Sequence, residues 1–215
     1  MARARIPDLF DPAQTGLQSL ALPDGALRFD PAFYSSDFTA AALSQLIDST
    51  AWRHEQIVLF GKRYWQPRLV AAHGDPDTAY TYSGLTLPMH PWSPLLARIK
   101  QDIERASGCR FNSVLLNYYR DQRDSMGWHS DDESALGPAP VIASLSFGAR
   151  RIFKLRHKTR VDLATLSLAL EDGSLLMMEG TTQRYWKHAV EKQRDASTAR
   201  INLTFRQIDP TRCKR

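Results

Sequence analysis

The pattern of hydrophobic and polar positions divides the chain into a part with helical periodicity and a part with alternating periodicity. Over residues 37–49 and 94–107, apolar residues recur at three- and four-residue intervals, which is typical of amphipathic helices. The second helix has the clearer limits, because Ser93 can cap it, Pro94 suits its first turn and Gly108 can end it. We therefore predict two helices in the first half of the chain.

After Gly108 the alternation of apolar and polar residues favours strands. Turn residues separate five strand candidates, which are residues 114–119, 141–147, 152–156, 174–178 and 199–206. Residues 56–59 and 80–87 add shorter strand-like pieces. Two helices followed by many short strands predict a mainly β fold, a jelly roll buttressed by its N-terminal helices.

The predicted organisation is one domain with a short N-terminal extension. Residues 1–27 show little periodicity, so we expect a loose lead-in, followed by a single domain over residues 28–210 with its jelly-roll core at about 110–207. No apolar run approaches the ~20 residues of a membrane span, and we see no signal-peptide core. We expect a monomer without membrane contact, in the cytoplasm or, in a eukaryote, in the nucleus.

The charge adds one ambiguous observation. The formal net charge is +5, and 21 arginines stand against 7 lysines. Arginine is favoured where phosphates or carboxylates are bound in a fixed geometry, but a GC-rich genome also enriches it without any function. One basic cluster could be either a DNA-binding surface or a solvated face: Arg150, Arg151, Arg156, His157, Lys158 and Arg160.

Two histidines and an aspartate suggest a metal site. Two imidazoles and one carboxylate form the facial triad that binds non-haem Fe(II) and leaves coordination positions open. His129 and Asp131 are two residues apart, and such residues point the same way in an extended segment. Alone, this pair is better explained by a capped turn in an acidic loop, and His188 alone is no different from a surface histidine.

The last strand candidate suggests an anion site. Polar and apolar residues alternate strictly in residues 200–206 (RINLTFR), and the polar residues on one face are Arg200, Asn202, Thr204 and Arg206. A buried arginine is costly without an anionic partner, whereas guanidinium binds a carboxylate in a bidentate fork. Together with the metal triad, this row predicts an oxygenase that uses Fe(II), O2 and the dicarboxylate 2-oxoglutarate.

These motifs resemble those of the AlkB family of Fe(II)- and 2-oxoglutarate-dependent nucleic-acid dealkylases, most closely the branch that repairs duplex DNA. The resemblance covers residues 56–207 and rests on residues 117–119 (NYY), 127–133 (GWHSDDE), 143–148 (ASLSFG), 173–178 (GSLLMM), His188 and the highly specific 200–206. It implies a double-stranded β-helix, which is a jelly-roll variant. It also implies oxidative demethylation of N-alkylated bases of the 1-methyladenine and 3-methylcytosine type in DNA.

Carried over by position, the resemblance assigns the ligands. His129, Asp131 and His188 would bind Fe(II) as the catalytic centre. The residues that would contact 2-oxoglutarate are Asn117, Tyr119, Arg200, Thr204 and Arg206, with Asn202 in support. Asn117 and Tyr119 are two apart in a predicted strand, so both can point inward. Ordinary strand packing, with Tyr119 in the core, is the alternative.

The resemblance also implies a nucleotide-recognition region at about residues 55–90. Tyr80 and Tyr82 would line the base pocket, with Tyr82 stacked on the base and His129 near its other face. Asp132 and Glu133 would read the polar edges of a cationic damaged base. A half-buried strand position is the alternative for Tyr82.

A hairpin tip in the same region would contact DNA. Phe60, Gly61 and Lys62 resemble the finger whose aromatic enters the duplex where the base has left the stack. Lys62, Arg63 and Arg68 would neutralise phosphates. Core packing is the alternative for Phe60.

Three other functions remain open at this point. The first is the same chemistry on RNA or single strands, because the shape of the hairpin is not visible in the sequence. The second is an oxygenase of a protein or small metabolite, which Phe60, Tyr82 and the basic balance disfavour. The third is a non-catalytic basic DNA-binding module, which would make the metal triad and the arginine strand coincidental.

Overall fold

A computed structural model describes residues 16–59, 61–76, 78, 81–82, 85–209 and 211. The helices in these ranges are α1 (Ser36–Ser49), α2 (Pro94–Ser107) and α3 (Thr182–Tyr185). The strands are β1 (Gln18–Leu20), β2 (Ala26–Asp30), β3 (Gln56–Leu59), β4 (Lys62–Trp65), β5 (Leu69–Gly74), β6 (Thr81–Tyr82), β7 (Leu85–Thr86), β8 (Met89–His90), β9 (Ser113–Tyr119), β10 (Met126–His129), β11 (Ile142–Gly148), β12 (Arg151–His157), β13 (Leu166–Leu170), β14 (Leu175–Glu179), β15 (Trp186–Val190) and β16 (Arg200–Arg206).

Two sheets form the framework. The larger has the order β1-β2-β14-β11-β16-β9-β5-β8, and the smaller has the order β10-β15-β12-β13. Two separate hairpins, β3–β4 and β6–β7, complete the strand pairing of the described residues. The predicted mainly β, jelly-roll class is confirmed.

The alternation of strand residues gives the larger sheet two buried faces. Apolar residues such as Leu116, Leu203 and Phe205 pack with Leu96 and Ile99 of α2. From the opposite face, Leu115, Leu176 and Met178 pack with Phe153 and Leu155 of the smaller sheet. The order of layers is therefore helices, larger sheet and smaller sheet. The helices cover one face of the larger sheet, and the smaller sheet covers the other.

Both predicted helices are confirmed, and the signals that limit α2 are visible in its contacts. The Ser93 side chain accepts a hydrogen bond of 3.2 Å from the Leu96 amide, and Gly108 ends α2 in the left-handed conformation at φ 74°. Helix α1 begins at Ser36, one residue before the prediction. All five main strand candidates are present within one or two residues of their predicted limits.

The prediction that residues 1–27 form a loose lead-in is wrong for the part that the structure describes. Residues 18–20 and 26–30 form β1 and β2, and β2 pairs along its whole length with β14, so the predicted boundary at residue 27 falls inside a strand of the larger sheet. These strands were missed because they are short and bounded by Pro23 and Gly25. Residues 1–15 lie outside the described residues. No helix in the described part of the chain is long and apolar enough to cross a membrane.

Candidate metal centre and anion pocket

Strand pairing in the smaller sheet brings the two histidines together. His129 ends β10 and lies opposite His188 of β15 in the antiparallel register, with ring centroids 4.2 Å apart. Asp131 follows two residues after His129, and one potential ligand atom from each of the three side chains lies within 4.8 Å of the others. The predicted triad is therefore assembled from two strands and the turn after one of them.

Both imidazoles are held in the neutral form that binds metals. Burial and the neighbouring His129 lower the pKa of His188 to about 3, and burial also lowers the pKa of His129. The Gly127 carbonyl accepts a 2.9 Å hydrogen bond from Nδ1 of His129, which places the proton there and selects the tautomer whose Nε2 can bind a metal. His188 is further oriented by stacking on Phe153 at 5.1 Å.

Asp131 is ionised in spite of its burial. Burial alone would raise its pKa, but Arg206, His188 and His129 lower the pKa to about 2. Oδ1 accepts a 2.8 Å hydrogen bond from Arg206, whereas Oδ2 is buried, accepts none from the described residues and lies 3.8 Å from Nε2 of His188. A buried anionic oxygen that faces two neutral imidazoles fits a divalent cation.

Strand β16 places its polar row against the same space. Arg200, Asn202, Thr204 and Arg206 are buried and line one cavity together with the metal triad. Asn117 and Tyr119 of β9 lie opposite Asn202 and Arg200 in the register and also line it. The structure therefore brings together all nine residues that the sequence predicts for metal and cosubstrate.

The buried guanidinium of Arg200 has the donors to bind an anion. One nitrogen, Nη2, donates a 2.9 Å hydrogen bond to Ser146, but Nε and Nη1 are buried without a hydrogen-bond acceptor among the described residues. Burial lowers the pKa of Arg200 to about 10, and the nearby Tyr119 opposes that shift. Two buried donors of Arg200 without acceptors among the described residues, beside a metal triad, suit an anionic group such as the distal carboxylate of a small dicarboxylate.

The other polar residues of the row are fixed by neighbours. Asn202 donates to Ser144 at 2.8 Å and accepts from the Thr204 hydroxyl at 3.0 Å, so it orients the Thr204 hydroxyl. The Asn117 carbonyl oxygen accepts a 2.8 Å hydrogen bond from Nε of Arg68. Arg68 is buried, and its predicted phosphate contact is wrong.

The substrate-side predictions are only partly within the described residues. Phe60 and Tyr80 lie outside them, and Tyr82 is described only as the end of β6. Gly61 has the left-handed φ of 75° that a tight tip needs, and Lys62 beside it is exposed.

The two acidic residues after Asp131 differ from each other. Asp132 has 61% of its side chain exposed and pairs with Lys158 at 3.1 Å. Glu133 is half-buried, and burial raises its pKa to about 7. A carboxyl group that is easily protonated there can donate as well as accept a hydrogen bond.

Sequence reasoning missed Gln183 as a site residue. Gln183 lies on the short helix α3, and its side-chain carbonyl accepts a 2.9 Å hydrogen bond from the Asp131 amide. It is 52 residues distant from Asp131 in the chain, and no local pattern marks it. The basic cluster also needs correction, because Arg151 and His157 are buried and belong neither to a solvated face nor to a DNA-binding one.

Comparisons with known proteins agree with this geometry. Residues 27–206 match the family described as the 2OG-Fe(II) oxygenase superfamily. The chain is 39% identical over 219 residues to human "Alpha-ketoglutarate-dependent dioxygenase alkB homolog 3", which covers 97% of this chain and 75% of that protein. It is 43% identical over 159 residues to human "DNA oxidative demethylase ALKBH2", covering 71% of this chain and 61% of that protein.

Further comparisons define the extent of the similarity. For bovine alkB homolog 3, at 40% identity over 188 residues, the match covers 84% of this chain but 65% of the relative's length. The solved structure of OsALKBH1 has the same fold, with a TM-score of 0.61 and 20% identity over 84% of this chain and 97% of that one. The similarity therefore covers most of this chain and a smaller part of several relatives.

Proposed function

This chain belongs to the 2OG-Fe(II) oxygenase superfamily, and from that premise we propose that it oxidatively demethylates N-alkylated bases in DNA. Bases of the 1-methyladenine and 3-methylcytosine type are the proposed substrates, restored by direct reversal. One observation carries the proposal: the triad His129, Asp131 and His188 shares its cavity with the guanidinium of Arg200, two of whose nitrogens have no acceptor among the described residues. A metal and a dicarboxylate can therefore bind side by side.

Different residues of the cavity would bind the metal and the dicarboxylate. His129, Asp131 and His188 would hold Fe(II), and Arg200 would bind the distal carboxylate of 2-oxoglutarate, with Tyr119, Asn117 and Thr204 beside it. When bound, the iron couples oxidative decarboxylation of 2-oxoglutarate by O2 to hydroxylation of an N-linked methyl group, which then leaves as formaldehyde. Succinate and carbon dioxide are the other products.

The apolar lining of the cavity supports this chemistry. Leu115, Phe153, Met178 and Val190 line the cavity beside the polar groups and lower the local dielectric constant. A lower dielectric constant strengthens the interaction of Arg200 with a carboxylate. A non-catalytic module would gain nothing from a neutral histidine pair and a buried, unsatisfied arginine, so we disfavour that alternative.

Three observations support a nucleic-acid substrate. Relatives that are 39–43% identical carry names in the alkB series, and ALKBH2 is named a DNA oxidative demethylase. The chain has a net charge of +5, which suits a polyanion. Burial, and to a smaller extent the nearby Asp131 carboxylate, raises the pKa of Glu133, so a carboxyl group that can accept or donate a hydrogen bond lies beside the triad.

We further propose duplex DNA as the preferred substrate, because Phe60, Gly61 and Lys62 resemble a finger that fills the gap left by a flipped base. The exposed Lys62 and the left-handed Gly61 suit such a tip. The same chemistry on RNA or on single strands is the competing proposal.

A coupled product assay tests the proposal. The purified protein is given Fe(II), 2-oxoglutarate and one methylated sequence as duplex DNA, as single-stranded DNA and as RNA, and succinate and formaldehyde are measured. We expect equimolar products, fastest with duplex, and none when 2-oxoglutarate is omitted. Succinate without formaldehyde from any of the three substrates would contradict nucleic-acid demethylation, and preference for RNA would move the protein to the competing class.

A further inference from the structure

Arg151 occupies an unusual position for a residue in a basic run. It begins β12 and is 1% exposed. Its Nη2 donates hydrogen bonds to the main-chain carbonyls of Asp124 at 2.8 Å and Glu191 at 2.7 Å, and Nη1 reaches the carbonyl of Asp121 at 3.4 Å. Burial lowers its pKa, and the nearby carboxylates of Asp124 and Asp121 form their ion pairs with Arg120 and Arg123 instead. Burial of a guanidinium without a carboxylate partner costs free energy, so we asked which other interactions of Arg151 have a function.

Its neighbours connect Arg151 to the anion pocket. The Cζ atom of Arg151 lies 5.4 Å from the ring centroid of Tyr119, and the Cζ atom of Arg200 lies 5.1 Å from the same centroid. Tyr119 and Arg200 line the cavity, whereas Arg151 is not among the residues around it. Arg151 can therefore influence a bound anion through Tyr119 but not by direct contact.

Arg151 also joins the ends of two strands that carry site residues. The carbonyls of Asp121 and Asp124 belong to the turn after β9, which carries Asn117 and Tyr119. The Glu191 carbonyl directly follows β15, which carries His188. One guanidinium thus ties the cosubstrate strand to a metal-ligand strand behind the Tyr119 ring.

We propose that Arg151 is a positioning residue for 2-oxoglutarate, which it serves by holding the Tyr119 ring beside Arg200. The proposal rests on the proposed function, because that function supplies the anion. The guanidinium supports the ring by a cation–π contact and by fixing the backbone at the ring's end of β9. Without this support Tyr119 moves away from Arg200, and the binding of one carboxylate of 2-oxoglutarate becomes weaker.

Equilibrium binding tests the proposal without turnover. Calorimetry measures the binding of 2-oxoglutarate to the full chain loaded with Mn(II) in place of Fe(II). We expect Arg151→Met to raise the Kd by roughly 3- to 30-fold, the range that one cation–π contact spans. Arg151→Lys keeps the charge but lacks the planar guanidinium that lies over the Tyr119 ring, so we expect an intermediate Kd; it also serves if the methionine variant does not fold.

Arg150 offers a matched control. It is the adjacent arginine, 58% of its side chain is exposed, and it pairs with Glu171 at 2.6 Å on the surface. We expect Arg150→Met to bind 2-oxoglutarate with the Kd of the unchanged protein. Equal Kd values for the Arg150 and Arg151 variants would overturn the proposal, even if Arg151→Met had the lower melting temperature, because Arg151 would then be only structural.

A double-mutant cycle tests whether the effect passes through Tyr119. In the Tyr119→Ala variant we expect Arg151→Met to change the Kd for 2-oxoglutarate less than about twofold. The effects of two substitutions are not additive when the two residues act together. A full, additive loss in that background would overturn the proposal. Absence of 2-oxoglutarate binding by the unchanged protein would overturn the proposed function as well, whereas normal binding with a silent Arg151 variant would overturn this inference alone.

Discussion

Arg206 donates a 2.8 Å hydrogen bond to Oδ1 of Asp131, and only 4% and 1% of the two side chains are exposed. The contact joins the last strand of the larger sheet to the turn after β10, residues that are 75 positions apart. It occupies one carboxylate oxygen and leaves the other facing His188. Arg206, predicted as a 2-oxoglutarate contact, therefore also orients the carboxylate proposed to bind metal.

The first prediction concerns the stability that this pair provides. Arg206→Met leaves a buried carboxylate without its cation, which commonly costs about 3–5 kcal/mol. We expect the free energy of unfolding of the metal-free protein to fall by that amount in urea, and added Mn(II) to restore part of it by binding Asp131. Arg206→Lys should lose less because it keeps a cation. A loss under about 1 kcal/mol for Arg206→Met would contradict the pairing.

The second prediction tests whether metal binding requires the negative charge of Asp131. Asp131→Asn keeps an oxygen for Arg206 but removes the negative charge, so we expect a folded protein whose affinity for Mn(II) falls more than about 100-fold. Turnover should be lost with it. Asp132→Asn is the matched control, since that carboxylate is largely exposed and paired with Lys158. Equal metal affinity in the two variants would exclude Asp131 as a ligand.

The site could be predicted from sequence wherever local pattern and side-chain chemistry agree. The alternation in β16 predicts which of its residues face the cavity, and Ser93 with Gly108 predicts the ends of α2. Arg151 shows the limit, because its acceptors are main-chain carbonyls of Asp124 and Glu191 that only tertiary structure brings to it. The sequence of a basic run does not show which of its members face solvent and which are buried against backbone oxygens.

The third prediction concerns recognition of the dicarboxylate by Arg200. Arg200→Lys keeps a positive charge but replaces the planar fork with a single ammonium, so two parallel hydrogen bonds become one. We expect the Kd for 2-oxoglutarate to rise at least about tenfold while the affinity for Mn(II) stays within a factor of about two, because Arg200 does not contact the triad. Calorimetry with each ligand measures both. An unchanged Kd for 2-oxoglutarate would place the anion elsewhere in the cavity.

The fourth prediction concerns Phe60, which lies outside the described residues and is judged from its neighbours. Gly61 permits a tight tip, and the exposed Lys62 and Arg63 suit phosphates better than a core. A flipped base leaves a gap in a duplex and costs a few kcal/mol, whereas a single strand presents its base more cheaply. A side chain that fills the gap therefore matters only when the complementary strand is present. We expect Phe60→Ala to lose activity mainly on methylated duplex and to keep most of it on the same strand alone.

Thermal stability distinguishes this role from core packing. A wedge at a hairpin tip leaves no cavity when it is truncated, whereas a core phenylalanine costs roughly 3–5 kcal/mol. Tyr64→Ala is the matched control, because Tyr64 lies on the same hairpin and is 49% exposed, so it reports the loss of any aromatic from this surface. If Phe60→Ala lowers the melting temperature strongly and reduces activity equally on both substrates, Phe60 packs inside the protein. The preference for duplex would then lose the residue on which it rests, and single strands would become the better substrate class.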